Sequence, residues 1–108
     1  PVRREPQLAE QAVAACLGQH FVAAAAAALF WAADVYRMSW RYGERGYRYL
    51  LLDAGHVCQN LYLAAEAIGC GACAIGAFDD DAVTELLGLD GVNQLPLYAA
   101  SVGRKPPQ

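Results

Sequence analysis

The segment from Arg45 to Asp81, RGYRYLLLDAGHVCQNLYLAAEAIGCGACAIGAFDDD, leaves this chain the fewest ways to fold. Leu50, Ala54, Val57, Leu61, Ala64 and Ile68 recur at spacings of four and three, which puts them on one face of a long helix. A second apolar row, Leu51, Cys58, Tyr62 and Ala65, lies beside the first, so the pattern predicts a helix buried over most of its circumference. One polar stripe is left, Asp53, His56 and Asn60 with Gln59 at its edge, and buried polar groups need partners. Glycine weakens a helix interior and is the usual residue just past a helix C-terminus, so the helix is expected to stop at Gly69 or Gly71. A short strand and a turn follow.

A chain of 108 residues is one small domain or a piece of one, and it buries only a modest core alone. At 56% hydrophobic and 18% charged it is apolar for its length, and the surplus must meet a partner or remain in water. A net charge of −3 with no basic stripe argues against nucleic acid as a partner. The apolar run from Phe21 to Ala33 is shorter than the about 20 residues of a membrane-crossing helix, and no charged leader precedes it. Neither a membrane span nor a signal peptide is expected, and Pro1 in place of methionine reads as a processed or trimmed start.

In chain order, PVRRE is polar and expected to fray, and Leu8, Ala12 and Ala15 or Cys16 then mark a helix from Pro6 to near Gly18. The alanine-rich run FVAAAAAALFWAAD suits a helix by propensity, yet a continuous apolar run also suits a strand buried on both faces. The residues leave both open, and a strand around Ala27 to Ala33 is the choice that a family resemblance implies. Asp34 caps a helix from Val35 to about Tyr42 that Gly43 ends, and Gly46 is expected to break regular structure before the long helix. Cys73, Ala74 and Ile75 read as a buried strand, Asp79 and Asp80 as caps of a helix through about Leu87, and Leu95 to Val102 as a last strand with Pro96 at its start or on an edge. This order predicts a layered α/β or α+β fold.

Four cysteines raise the question of disulfides or a metal. Cys16 and Cys58 sit among alanine and leucine, where free cysteine behaves as a small hydrophobe. Cys70 and Cys73 form a C-x-x-C, but it ends a helix and enters a strand, the reverse of a thioredoxin-like motif, and supplies two of the four ligands of a structural zinc. No metal is expected, and a reduced, cytoplasmic setting is the default.

The segments RYGERGYRY, LDAGHVCQNLYLAAEAIG, IGAFDDDAVTELLGLDG and LPLYAASVGR, in that order, resemble the SagB-type dehydrogenases of the FMN-dependent nitroreductase superfamily, with a weaker likeness upstream at Gly18, Gln19 and Phe21. The likeness covers the second half of such a domain, and the Arg-rich opening of the family is absent. It implies an α+β layered fold over residues 1–108: a central mixed sheet flanked by helices, a helical turn near Phe21, and the long helix buried at a dimer interface with flavin between subunits. The companion is then a second copy or a missing N-terminal half. Asp53, His56, Gln59 and Asn60 are read as a polar network across that interface, the Asp53–His56 spacing also resembling an acid-base pair.

The resemblance implies an FMN-dependent oxidoreductase exchanging hydride at flavin N5, with NAD(P)H or an organic donor. An azoline-type heterocycle, a nitro compound, a quinone or a modified peptide is the substrate class. Ile75, Gly76 and Ala77 take the place of the backbone that contacts the isoalloxazine, where small residues between a strand and a capped helix let main chain approach a flat ring. Arg104 and Lys105 match the phosphate-binding region, where arginine binds bidentately. Arg41 and Tyr42 stand where azoline-oxidising members carry a Lys-Tyr pair. Arginine does not give up its proton as a lysine base does, so Tyr42 is the candidate catalytic group and Arg41 a substrate or phosphate contact. The alternative is a non-catalytic dimeric subunit with weak or no flavin binding.

Overall fold

The computed structural model describes residues 1–106. Helix α1 spans Leu8–Ala15 and a four-residue helix, α2, spans Phe21–Ala24. Strand β1 (Ala27–Asp34) leads through the Asp34 cap into α3 (Val35–Tyr42) and then α4 (Arg45–Ala67). Strand β2 (Cys70–Ile75), helix α5 (Asp80–Leu87) and strand β3 (Gln94–Arg104) complete the order. Two aspartates do the capping work expected of them: the Asp34 carboxylate accepts from Arg37 N at 3.4 Å and the Asp79 carboxylate from Ala82 N at 2.9 Å. The alanine run resolves as the strand reading requires, with the preceding helical turn ending at Ala24.

The strands form one sheet in the order β1-β3-β2, and both pairings are antiparallel. The layered α+β architecture is as expected, but within this chain the sheet is antiparallel and not mixed. Strand β3 is therefore central and not an edge. It tolerates Pro96 because the register shifts between Trp31 and Ala32 there and because β2 joins only from Ala99 onward. Side chains alternate across the sheet. Ile75, Ala99 and Phe30 join Ala12, Cys16 and Val22 on the α1 side, while Tyr98 meets Cys58 of α4 on the other. The sheet thus separates α1 and α5 from α4, and α3 packs on α4. The outer edge of β2 is partly covered by α4, since Ala74 N donates to the Tyr62 hydroxyl at 2.7 Å.

Two sequence expectations fail at the long helix. Gly46 does not break it but lies in its first turn, buried, where an added Cβ would come within 3.0–3.1 Å of Met38, backbone atoms included. The glycine lets α3 and α4 approach. Nor is α4 buried over most of its circumference: only Gly46, Ala54, Cys58 and Ala65 are buried, a single stripe against α3 and the sheet. Leu51 and Leu63 are each 62% exposed, and Asp53, His56, Gln59 and Asn60 all face solvent in the chain. The reason is geometric: three strands and one short helix cover one side of a cylinder of 23 residues. The accessible surface of 7558 Å² exceeds the roughly 5,800 Å² of a compact monomer of this mass. The radius of gyration, 14.6 Å, likewise exceeds the about 13 Å of a compact chain of this length.

Candidate functional site

The bend after β2 is built by opposing demands on neighbouring residues. Ile75 is 2% exposed and anchors the strand in the core, and Phe78 packs against the same cluster. Gly76 and Ala77 bridge them and are exposed. The bend is tied to the end of α1 from both sides: Asp79 N donates to Ala15 O at 2.8 Å, and the Gln19 amide donates to both Cys16 O and Ala77 O at 2.8 Å. Among the described residues no hydrogen bond takes up the N–H of Gly76 or Ala77, and a Cβ added at Gly76 would meet nothing within 4 Å. The backbone is held while its donors stay free. Asp79, Asp80 and Asp81 crowd the start of α5, so the positive end of that helix is already neutralised and repels a phosphate. The bend suits a neutral, flat acceptor. Among the described residues it opens into free space.

Arg104 and Lys105 are not brought to that bend. In the antiparallel pairing Ile75 faces Ala99 while Cys70 faces Arg104, so the two groups stand at opposite ends of β2, roughly 17 Å apart at strand rise. Arg104 is exposed. Lys105 pairs with Glu66.

Tyr42 does lie in a depression. An open groove of about 460 Å³ between α3 and α4 is lined by Met38, Tyr42, Tyr49, Leu52, Asp53 and His56. The Tyr42 and Tyr49 rings meet edge to face with centroids 4.9 Å apart, and the Arg41 guanidinium lies 5.3 Å from the Tyr42 ring centre. His56 Nδ1 is 2.8 Å from Leu52 O; a carbonyl only accepts, so Nδ1 carries a proton and Nε2 is the ring nitrogen turned away from that bond. Met38, Tyr49 and Leu52 were not singled out in the sequence, although Tyr49, Asp53 and His56 at i, i+4 and i+7 extend the polar stripe of α4 by one turn.

All four cysteines are free thiols. Burial pushes the Cys16 and Cys58 thiols up, away from the thiolate form a nucleophile needs, although the Tyr98 hydroxyl partly offsets this at Cys58. Cys70 and Cys73 both lie in β2, where residues three apart point to opposite faces with Cα atoms about 10 Å apart, beyond disulfide reach. Among the described residues no group of three or more His, Cys, Asp or Glu is placed to hold a metal ion. No helix among them is long and apolar enough to cross a membrane.

The sequence profile of the nitroreductase family matches residues 2–104. The chain belongs to the nitroreductase family. A curated relative in Methanocaldococcus jannaschii that carries a nitroreductase name is 38% identical over 101 residues, 94% of this chain and 50% of the relative. A crystal structure from Anabaena variabilis, also bearing a nitroreductase name, superposes with a TM-score of 0.83 at 38% identity, covering 97% of this chain and 21% of that one. The NADPH:FMN oxidoreductase of Vibrio harveyi, solved with NAD+, superposes with a TM-score of 0.81 at 26% identity, covering 98% of this chain and 49% of that one. The chain spans about half the length of the curated relative it matches.

Proposed function

We propose that this chain supplies the isoalloxazine-contacting half of an FMN-dependent oxidoreductase. The observation that carries this is the bend after β2, where the Gly76 and Ala77 N–H groups are free, rigidly mounted and open to a planar ligand. When bound, FMN supplies hydride and electron exchange between NAD(P)H and an organic acceptor. The chain's own contribution is to orient the ring by main-chain donors, with Ile75 fixing the strand behind them. Arg104, at the far end of the sheet, is available to a phosphate arriving there, and Lys105 has to leave Glu66 to do the same. Tyr42 and the free Nε2 of His56 are the proton-handling groups of the α3–α4 groove, and Arg41 contributes fixed charge beside them. Because an arginine does not serve as a base, reduction of a nitro compound or quinone by the reduced flavin fits this site better than dehydrogenation of an azoline, which gives up its hydride to the flavin and needs a base for its proton.

Titrating FMN into the chain tests this: saturable quenching of flavin fluorescence is expected, weakened roughly tenfold by Ala77→Pro, which removes one donor. The second reading is a non-catalytic subunit with weak or no flavin binding. A chain that leaves FMN fluorescence and absorption unchanged decides for it.

A further inference from the structure

The turn that leaves α1 is strained at a place where burial does not call for it. Gly18 N donates to Val13 O at 2.8 Å and Leu17 N to Ala14 O at 3.2 Å, the paired bonds of a Schellman turn. The left-handed position of such a turn is usually glycine, yet here Leu17 takes it at φ 59°, and Gly18 follows at φ 77°. Leu17 is 61% exposed, so no buried contact offsets the strain. Two left-handed residues in succession fold the chain back over the end of α1, and Gln19 comes to lie beside the bend after β2.

Gln19 then makes one bond more than the turn needs. Its backbone N–H donates to Cys16 O at 3.2 Å, so that carbonyl has a partner without the side chain. The side-chain amide nevertheless donates to both Cys16 O and Ala77 O, each at 2.8 Å. Ala77 is 58 residues away in sequence and exposed, so water would satisfy its carbonyl. The bond is not there to relieve a buried acceptor. What it does is fix a direction: in a trans peptide the carbonyl and the N–H point opposite ways, so holding Ala77 O holds the whole plane between Ala77 and Phe78. The next plane is held by Asp79 N on Ala15 O, and the strand before the bend by the pairing of Ile75 with Ala99. Gly76 and Ala77 lie between those two anchors.

We propose that Gln19 is a positioning residue for the flavin, its side-chain amide holding the free Gly76 and Ala77 N–H groups in one orientation. The inference rests on the reading of that bend as the isoalloxazine contact. Without the bond, Gly76 lets the bend turn, because it has no side chain and nothing stands within 4 Å of where a Cβ would lie. Ring binding must then also order the donors, and affinity falls.

Two substitutions remove the side-chain donors and keep the size of the side chain: Gln19→Glu, of the same shape, and Gln19→Met, of similar length and uncharged. NMR relaxation on the flavin-free chain should give order parameters of about 0.85 at the Gly76 and Ala77 amides, falling below about 0.6 in both variants, while the amides of β3 keep their exchange rates. FMN should bind Gln19→Met roughly tenfold more weakly than the unsubstituted chain. Order parameters that stay unchanged in both variants overturn the proposal. So does a loss of protection throughout β3, which would make Gln19 a support of the whole fold, and so does an unaltered FMN affinity in Gln19→Met. Failure of the flavin reading looks different: the unsubstituted chain binds no FMN, while the order parameters still report whether Gln19 holds the bend.

Discussion

The two sides of the sheet are packed in opposite ways. Toward α1 and α5 the interior is finished: Cys16, Val83 and Ala99 are fully buried, and Ile75, Phe30 and Leu86 close the same cluster. Toward α3 and α4 the residues that reach inward are small, Gly46, Ala54, Cys58 and Ala65, while the large apolar ones, Leu51, Leu52 and Leu63, point away. Equal hydrophobicity in the sequence has produced a core on one side and a surface on the other. What separates them is the width of the helix to be covered: α4 turns only its small residues to the sheet, and among the described residues no element packs on its outer face.

The contrast is tested most severely at Ile75 and Leu63. Ile75→Ala should cost about 3 kcal/mol in urea unfolding, whereas Leu63→Ala, in the monomer, should stay within about 0.5 kcal/mol. Equal losses would mean that α4 already has a covered outer face. The glycines of α4 give the next largest effect. Gly46→Ala drives a methyl into the Met38 backbone and should cost about 2 kcal/mol, while Gly55→Ala should raise monomer stability by up to about 1 kcal/mol. Opposite signs within one helix, read from melting temperatures, would place the α3 contact at the first glycine and open space at the second. Removing the α5 cap with Asp79→Ala should cost about 1 kcal/mol and loosen the bend that precedes it, seen as faster exchange of the residue 79 amide that bonds Ala15 O.

The smallest effect is in the Asp90 loop on the finished side. Its carboxylate is held below the usual range by the backbone N–H groups of Gln94, Val92 and Asn93, with burial opposing. A depressed folded-state value means that its stabilisation is complete above the ordinary carboxylate range and is lost as pH falls through the folded value. Asp90→Asn should therefore flatten the decline of the melting temperature below about pH 4, and an unchanged profile would show that other carboxylates govern it.

Local chemistry was legible along the chain. Asp34 and Asp79 announced helix starts, Gly43 and Gly88 helix ends, and the four-and-three spacing of Leu50, Ala54 and Leu61 the long helix. The bend at Gly76 and Ala77 followed from the same signals, because a strand, small residues and a capped helix leave the backbone little choice. Other features were not legible, since they depend on contacts between segments distant in sequence. Gly46 looked like a breaker until α3 lay across it. The distance from Arg104 to the bend was not legible either, since it is antiparallel pairing with β2 that sets the two at opposite ends of the sheet. Tyr49 joined the groove only because α3 folds back along α4.

By itself the sequence determined where helices and strands begin and end, because caps, glycines and apolar periodicity act over a few residues. Tertiary structure alone decided which apolar faces became core. Hydrophobic burial is non-directional and needs a second surface, and among the described residues the outer face of α4 has none.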